Sequence, residues 1–312
     1  MGNTGKENGV VKILVTGAAG TLGSALCRLA RESGDEAVGY DVVAGEGSSA
    51  DTFVVGDVLD RDKLLAAAAG CDVIHHTAAM HAYFLGSNTH ADFLRTNLEG
   101  ADNVYATAVQ HDIRRVVLSS TMEIVIGHRW DANGMSVVDE ATPPKPDCIY
   151  PVTKLQCEIL ADYYYRHHGI TSALMRYMWF ERRYPFSYGW GLGFLGRCIE
   201  TEDAARANLA AGQAETVGCD VFHIGPATPI TQEDIERSLT DKEGVLEKHF
   251  PGCVSVLTEA GVDLGEPLWP VTRIDRAKRL LEWEPAYTFT DYLEDLRKKR
   301  IWPHPLDREL PM

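Results

Sequence analysis

A doubly wound parallel α/β sheet with a smaller C-terminal lobe is the fold class that the sequence predicts. Three observations point to it. Short β-branched runs alternate with longer amphipathic stretches up to residue 178, the order expected of βαβ units whose sheet is covered on both faces. A glycine-rich turn joins the first of these runs to the first helix. Beyond residue 178 the alternation fades, which leaves a second, smaller unit.

The elements follow in order. VKILVTG (11–17) is a strand and 21–31 a helix, and EAVGYDV (36–42) and DTFVVGD (51–57) are the second and third strands. The helical stretch 60–70 leads into a fourth strand, CDVIHHTAA (71–79). A helix over 97–110, the strand IRRVVLSS (113–120), a long helix over 150–168 and the strand TSALMRYM (171–178) complete the unit. FERRYPFSYGWGLGFLG (180–196) carries aromatics, Gly and Arg without a period and is read as loop. Helices are expected at 201–212, at 231–240 behind a Thr N-cap, in a stretch ending at Trp283 ahead of Pro285, and from residue 289. The organisation is then a disordered leader at 1–10, a first domain at 11–178, and at 179–312 a lobe and C-terminal helices interleaved with that domain.

The 312 residues have room for two domains of roughly 150 residues. A formal net charge of −15 repels phosphate backbones and anionic lipid, which argues against nucleic-acid and membrane-surface partners. Seven scattered cysteines without a C-x-x-C pair fit reduced thiols better than a disulfide framework or a zinc site. No apolar run approaches the roughly 20 residues of a membrane span. A soluble, cytoplasmic protein with a small-molecule substrate is expected.

The sharpest local signal is the turn Thr16-Gly17-Ala18-Ala19-Gly20-Thr21-Leu22-Gly23. Gly17 permits the tight turn, Gly20 lets backbone approach a pyrophosphate, and Gly23 allows close helix–sheet packing; the N–H groups around Ala19, Thr21 and Leu22 face the phosphates. This is the NAD-binding Rossmann form of the fold. Asp41 closes the second strand, where a carboxylate accepts both ribose hydroxyls and repels a 2′-phosphate, so NAD is favoured over NADP. Asp57, with Val58 beside it, is placed to receive the adenine; a turn or cap role for Asp57 is the other reading.

Tyr150 and Lys154 stand four apart at a helix start and project from one face. A neighbouring ammonium, together with the nicotinamide charge, lowers a phenol's pKa, which makes Tyr150 a general acid/base for a secondary alcohol. Thr121, closing Ser119-Ser120-Thr121, supplies a hydroxyl to orient the substrate oxygen.

TGAAGTLG, Asp41, GDVLD, VIHHTAA, TNLEG, SST, YPVTK and RLLEWEP together resemble the extended short-chain dehydrogenase/reductases, the NAD-dependent epimerase/dehydratase group. The resemblance is close over 11–178 and loose beyond. It implies catalytic roles for Thr121, Tyr150 and Lys154, with Lys154 also holding the nicotinamide ribose. It implies a backbone turn beside the cofactor at Ala78 and Ala79, a buttressing role for Asn97, and a homodimer through the helices at 97–110 and 150–168. Two departures stand out. Nucleotide-sugar members carry a long insert with a Gly-Asp-Gly turn and an Arg for the diphosphate. Here only 177–200 separates Arg176 from the helix at Thr201, and Arg197 is one residue out of register. Ile126 also replaces the usual Tyr in TMEIVIG, which has one extra residue before Gly127.

In sugar-nucleotide dehydratases of the group a Glu two residues past the Thr removes a proton beside a transient ketone, which suggests Glu123. A solvent-facing carboxylate, or one paired with Arg129, is the alternative. His75 and His76 are adjacent on a strand and point to opposite faces, so no metal site is expected. His81, Met122 and Thr121 are candidates for the substrate pocket. Arg182 and Arg183 could clamp an anionic group, or be a solvated pair. Tyr184, Trp179 and Trp190 offer an aromatic wall or core packing. The expected activity is NAD-dependent hydride transfer at a secondary alcohol or ketone of a sugar, sugar acid or polyol-like substrate. The alternatives are an epimerase or dehydratase that recycles NAD with Glu123 as extra base, and a non-catalytic NAD sensor.

Overall fold

Ile13 and Val15 point into one apolar cluster and Leu14 into another, because successive side chains of a strand face opposite sides. These residues lie on β1 (Lys12–Thr16) in a computed structural model that describes residues 9–43, 49–130, 137–181, 188–215, 217–262, 264, 268 and 271–298. The same split repeats along β2 (Glu36–Asp41), β3 (Thr52–Val55), β4 (Val73–His76), β5 (Arg115–Thr121), β6 (Thr171–Tyr177) and β7 (Cys219–Ile224). All pair in parallel, in the order β3-β2-β1-β4-β5-β6-β7. The order reverses between β1 and β4, the crevice where open α/β sheets bind ligands.

Helices cover both faces. They are α1 (Thr21–Glu32), α2 (Arg61–Ala67), a composite α3, α4 (Ile149–His168) and α5 (Thr201–Gln213). α1 and α5 pack with Ile13, Val15 and Val117, while α2, α3 and α4 pack with Leu14, Ile74 and Leu118. α3 runs on through α-helical His90–Phe93, π-helical Leu94–Glu99 and α-helical Gly100–Gln110. It therefore starts earlier than the expected 97–110, at a Thr89 capping box. Asn97 sits in its π-helical turn, a feature often found at functional sites.

A further apolar cluster stands apart from the sheet and joins Phe194 and Leu195 to α6 (Gln232–His249), α7 (Cys253–Glu259) and α9 (Phe289–Arg297). Between the last two, α8 (Asp275–Leu280) packs back against the first face of the sheet through Ala277. Several boundaries differ from the sequence reading. β7 and α7 were not anticipated, since CDVFHI mixes polar residues into its run and α7 is only 7 residues long. α6 passes the expected stop at Thr240 because Asp241 leaves helical geometry for one residue and the helix resumes. α8 ends at Leu280, not Trp283, because Glu282 adopts a positive φ of 51° that turns the chain. Trp283 is instead buried, with its indole N–H donating to the Asp203 carbonyl. The stretch read as loop, 180–196, overlaps a strand at Trp179–Glu181, which pairs with Cys198–Glu200, and contains a 3₁₀ segment at Tyr188–Leu195. No helix among the described residues is long and apolar enough to cross a membrane, and the seven cysteines are free thiols.

Candidate active site

The glycine turn is shaped by atoms that are not there. Gly17 has φ +74° and donates its N–H to the Tyr40 carbonyl (2.8 Å), and a Cβ on it would lie 2.6 Å from the Ala78 nitrogen. A Cβ on Gly23 would lie 2.1 Å from the Gly17 carbonyl oxygen, so α1 can meet the turn only through a glycine. Gly20 is the N-cap of α1 and no side chain caps that helix, which leaves its first-turn N–H groups open to an anionic group. The Asp41 carboxylate accepts from the Ala19 N–H (3.0 Å) and the Val43 N–H (3.3 Å), tying the end of β2 to the turn.

These residues edge a cavity of about 480 Å³ over the switch point of the sheet. Gly17, Gly20, Asp41, Asp57, Val58, Ala78 and Ala79 are brought together in its lining. Leu22 packs into the apolar core and so brings only backbone to the turn, while Thr21 is exposed at the start of α1. Asp57 is exposed and its Oδ1 accepts from the Leu59 N–H (3.0 Å), a turn-forming contact that leaves Oδ2 for a ligand. Met80, Phe84, Asn88 and Thr96 also line the cavity and were missed. Met80, Phe84 and Asn88 come from a connection with no periodicity, and Thr96 from the π-helical turn of α3. A turn that Cβ atoms would fill, helix N–H groups and a carboxylate at the end of β2 fit a dinucleotide with free ribose hydroxyls.

Asn97 fastens the wall of this cavity to α4. Its Oδ1 accepts from the Met80 N–H (2.7 Å), and its Nδ2 donates to the Met80 carbonyl (3.1 Å) and the Thr153 hydroxyl (2.9 Å). The Thr153 hydroxyl donates in turn to the Tyr150 carbonyl (2.7 Å). Pro151 lies in the first turn of α4, where the missing N–H costs nothing.

Tyr150, Lys154 and Thr121 are all buried, and the Thr121 hydroxyl stands near enough to the Tyr150 phenol to act on its proton affinity. Burial, and then the Glu123 carboxylate, hold Tyr150 well above the ordinary phenol range, with Thr121 opposing. The expected lowering by Lys154 is thus not what the chain's own groups produce. Burial lowers the Lys154 ammonium, while Cys157 and Glu158 act to keep it charged. Lys154 also helps keep two histidines neutral, behind the larger effect of burial: His76 near 3 and His81 near 4.

His81 packs its ring 4.8 Å from that of Tyr150 and 4.7 Å from that of Tyr83. Its Nδ1 accepts from the Tyr83 N–H (3.3 Å), which leaves the proton of the neutral ring on Nε2. Glu123 opens a short helical turn, Glu123–Ile126, and its own N–H donates to the Thr121 Oγ1 (3.2 Å). Met122 is 1% exposed and packs with Ile124, Val125 and Met178, so its side chain faces core and not substrate. His75 and His76 do point apart: one bonds Asn208 (2.6 Å), the other Thr16 Oγ1 (2.7 Å). The Arg197 guanidinium lies over the Trp179 ring at 5.1 Å. Arg182, Arg183 and Tyr184, and the side chains of Arg129 and Trp190, lie outside the described residues. Among the described residues no group of three or more His, Cys, Asp or Glu side chains is arranged to hold a metal ion.

Residues 13–181 match the NAD dependent epimerase/dehydratase family. A dTDP-glucose 4,6-dehydratase from Streptomyces niveus is 26% identical over 95% of this chain and 96% of its own length. An L-arabinose 1-dehydrogenase (NAD(P)(+)) from Haloferax volcanii is 30% identical over 54% of this chain and 67% of its own. Among solved structures, a short-chain dehydrogenase/reductase superfamily protein from Agrobacterium tumefaciens with bound NAD superposes with a TM-score of 0.70 at 19% identity, covering 93% of this chain and 98% of that one.

Proposed function

We propose, from the premise that the chain belongs to the NAD-dependent epimerase/dehydratase family of extended short-chain dehydrogenase/reductases, that it oxidises a secondary alcohol of a sugar or sugar acid, or reduces the matching ketone. Its cofactor is NAD, held by the glycine turn, Asp41 and Lys154, and when bound NAD supplies the acceptor or donor of the hydride. Tyr150 takes the hydroxyl proton at its phenol oxygen. Thr121 holds the same substrate oxygen, and the phenolate that burial disfavours draws on the positive charge of bound nicotinamide together with that of Lys154. His81, neutral and carrying its proton on Nε2, offers a donor to a second substrate oxygen beside Tyr150.

The observation that carries this proposal is the burial of Thr121, Tyr150 and Lys154, with the start of α4 tied through Thr153 and Asn97 to the Met80 wall of the cavity. The short 177–200 segment supports a small sugar over a nucleotide sugar. The Haloferax relative acts on such a sugar. A second reading, dehydration or epimerisation with recycled NAD, is favoured by one observation: the Glu123 charge acts on Tyr150 and raises it. The Streptomyces relative, matched over nearly its whole length, is a dehydratase. The test is NADH formation by the purified protein with L-arabinose, D-galacturonate and dTDP-glucose. Net NADH with a free sugar or uronate supports the dehydrogenase; conversion of dTDP-glucose without net NADH replaces it by the second reading.

A homodimer through α3 and α4 is part of the proposal. Ile159 (63% exposed) and Tyr163 (45%) on α4, with Leu94 and Val109 on α3, are apolar side chains left exposed on those helices. A monomeric mass in solution would remove it.

A further inference from the structure

We propose that Glu158 is a positioning residue that sets the register of α4 against the ends of β5 and β6, and thereby the placement of Tyr150 against Thr121. It rests on the proposed roles of Tyr150 and Thr121. Residues 150, 154 and 158 are four apart, so they share one face of α4, and all three are buried. The Glu158 carboxylate is fully engaged. Its Oε1 accepts from the Ser120 hydroxyl (2.6 Å) and from Arg176 Nε (2.9 Å), and its Oε2 accepts from Arg176 Nη2 (2.7 Å).

Ser120 and Arg176 face each other across β5 and β6, so one carboxylate grips both strands at a single level. The next pair in register is Thr121 with Tyr177, and the Tyr177 carbonyl accepts from the Met122 N–H (3.0 Å). The carboxylate thus holds the level just below the Thr121 hydroxyl. At about 1.5 Å of rise per residue, Glu158 anchors α4 roughly 12 Å along its axis from Tyr150. With Thr153 tied to Asn97 near its start and Glu158 gripping the strands, α4 is held against sliding along the strand ends.

The pair is poorly explained by stability. Burying two charges costs several kcal/mol before their attraction is counted, and apolar side chains of similar volume are often as good or better. The cluster is also incompletely satisfied. Arg176 Nη1 and both ring nitrogens of His223, its cross-strand partner on β7, are buried with no hydrogen-bond partner among the described residues. Directional bonds from one helix to two strands fix a register, which apolar packing does less sharply.

The experiment replaces the pair by apolar side chains, Glu158→Leu with Arg176→Met, in the full chain, and compares it with wild type on whichever of L-arabinose, D-galacturonate or dTDP-glucose wild type converts. The double variant is expected to fold, to keep its melting temperature and NADH affinity, and to leave the substrate KM little changed. Its kcat should fall about 10- to 100-fold, the size expected of a misplaced reacting group. A folded double variant with wild-type kcat overturns the proposal. Should wild type convert none of the three, the proposed function fails on its own. The NADH-bound crystal structure of the double variant then decides: α4 displaced along β5, with the Tyr150 phenol beyond hydrogen-bond reach of Thr121, supports the positioning role, and an undisplaced helix refutes it. Should the double variant not fold, Ser120→Ala removes one bond and no charge. It is then expected to lower kcat at an unchanged melting temperature, and an unchanged kcat counts against the proposal.

Discussion

The glycine turn at 17–23 and the helix face at 150–158 bound the same site, yet they are made in different ways. At the turn, function comes from backbone and from missing Cβ atoms: Gly17 and Gly23 leave no room for a methyl group, and the ligands offered are N–H groups and one carboxylate. At the helix face, function comes from side chains taken out of water: burial shifts the proton affinities of Tyr150 and Lys154, and Glu158 acts to keep Lys154 charged while it grips the strands. The turn should therefore fail by size and affect binding, whereas the helix face should fail by charge and affect turnover.

The widest separation of the two is expected from Tyr150→Phe. It removes the proton acceptor and little volume, so kcat should drop by about 10²- to 10⁴-fold while NADH binding, followed by fluorescence titration, is retained. Equal losses in both would erase the distinction. Gly17→Ala is the mirror experiment. Its positive φ and the nearby Ala78 backbone force strain of about 1–3 kcal/mol or a shifted turn, so NADH affinity should weaken about tenfold or more. The kcat at saturating NAD should change far less.

Asp41→Ala should cost roughly tenfold in NAD affinity, the range of a lost hydrogen bond to a charged group, and narrow the preference over NADP. Kd values for the two cofactors check this; an unchanged ratio would remove Asp41 from ribose recognition. The smallest effect tests the helix face. Glu123 raises the Tyr150 phenol, so Glu123→Gln should lower it, and alcohol oxidation, which needs the phenolate, should persist to lower pH. For the dehydrogenase, kcat at neutral pH should hold within about threefold, since a single charge near a phenol is a modest perturbation. Loss of all turnover in this variant would instead mark Glu123 as the extra base of a recycling enzyme.

The same contrast explains what the sequence disclosed. The turn, Asp41, Thr121 and the Tyr150–Lys154 pair were legible because each depends on local spacing: three glycines before one helix, or two residues one turn apart. The positions of the first six strands along the chain were legible for a similar reason, since βαβ periodicity is a local pattern. What escaped depends on residues far apart in the chain. Glu158 meets Ser120 and Arg176 only through the sheet register; Asn97 was named as a buttress, but its partners Met80 and Thr153 were not, because a π-helical turn brings them to it. The cavity wall at Phe84 and Asn88 comes from an aperiodic connection, and β7 carries cysteine, aspartate and histidine where an apolar run was sought. Met122 was misjudged because a residue next to Thr121 in sequence points the other way into the core.

The central claim is that Tyr150, Thr121 and Lys154 serve net oxidation of a sugar alcohol, with the hydride leaving on NAD. The most direct measurement follows deuterium from L-arabinose or D-galacturonate labelled at the carbon that is oxidised. Deuterium is expected in released NADH, one equivalent per oxidised sugar. Deuterium found instead in a rearranged or dehydrated sugar product, with no NADH released, would contradict it.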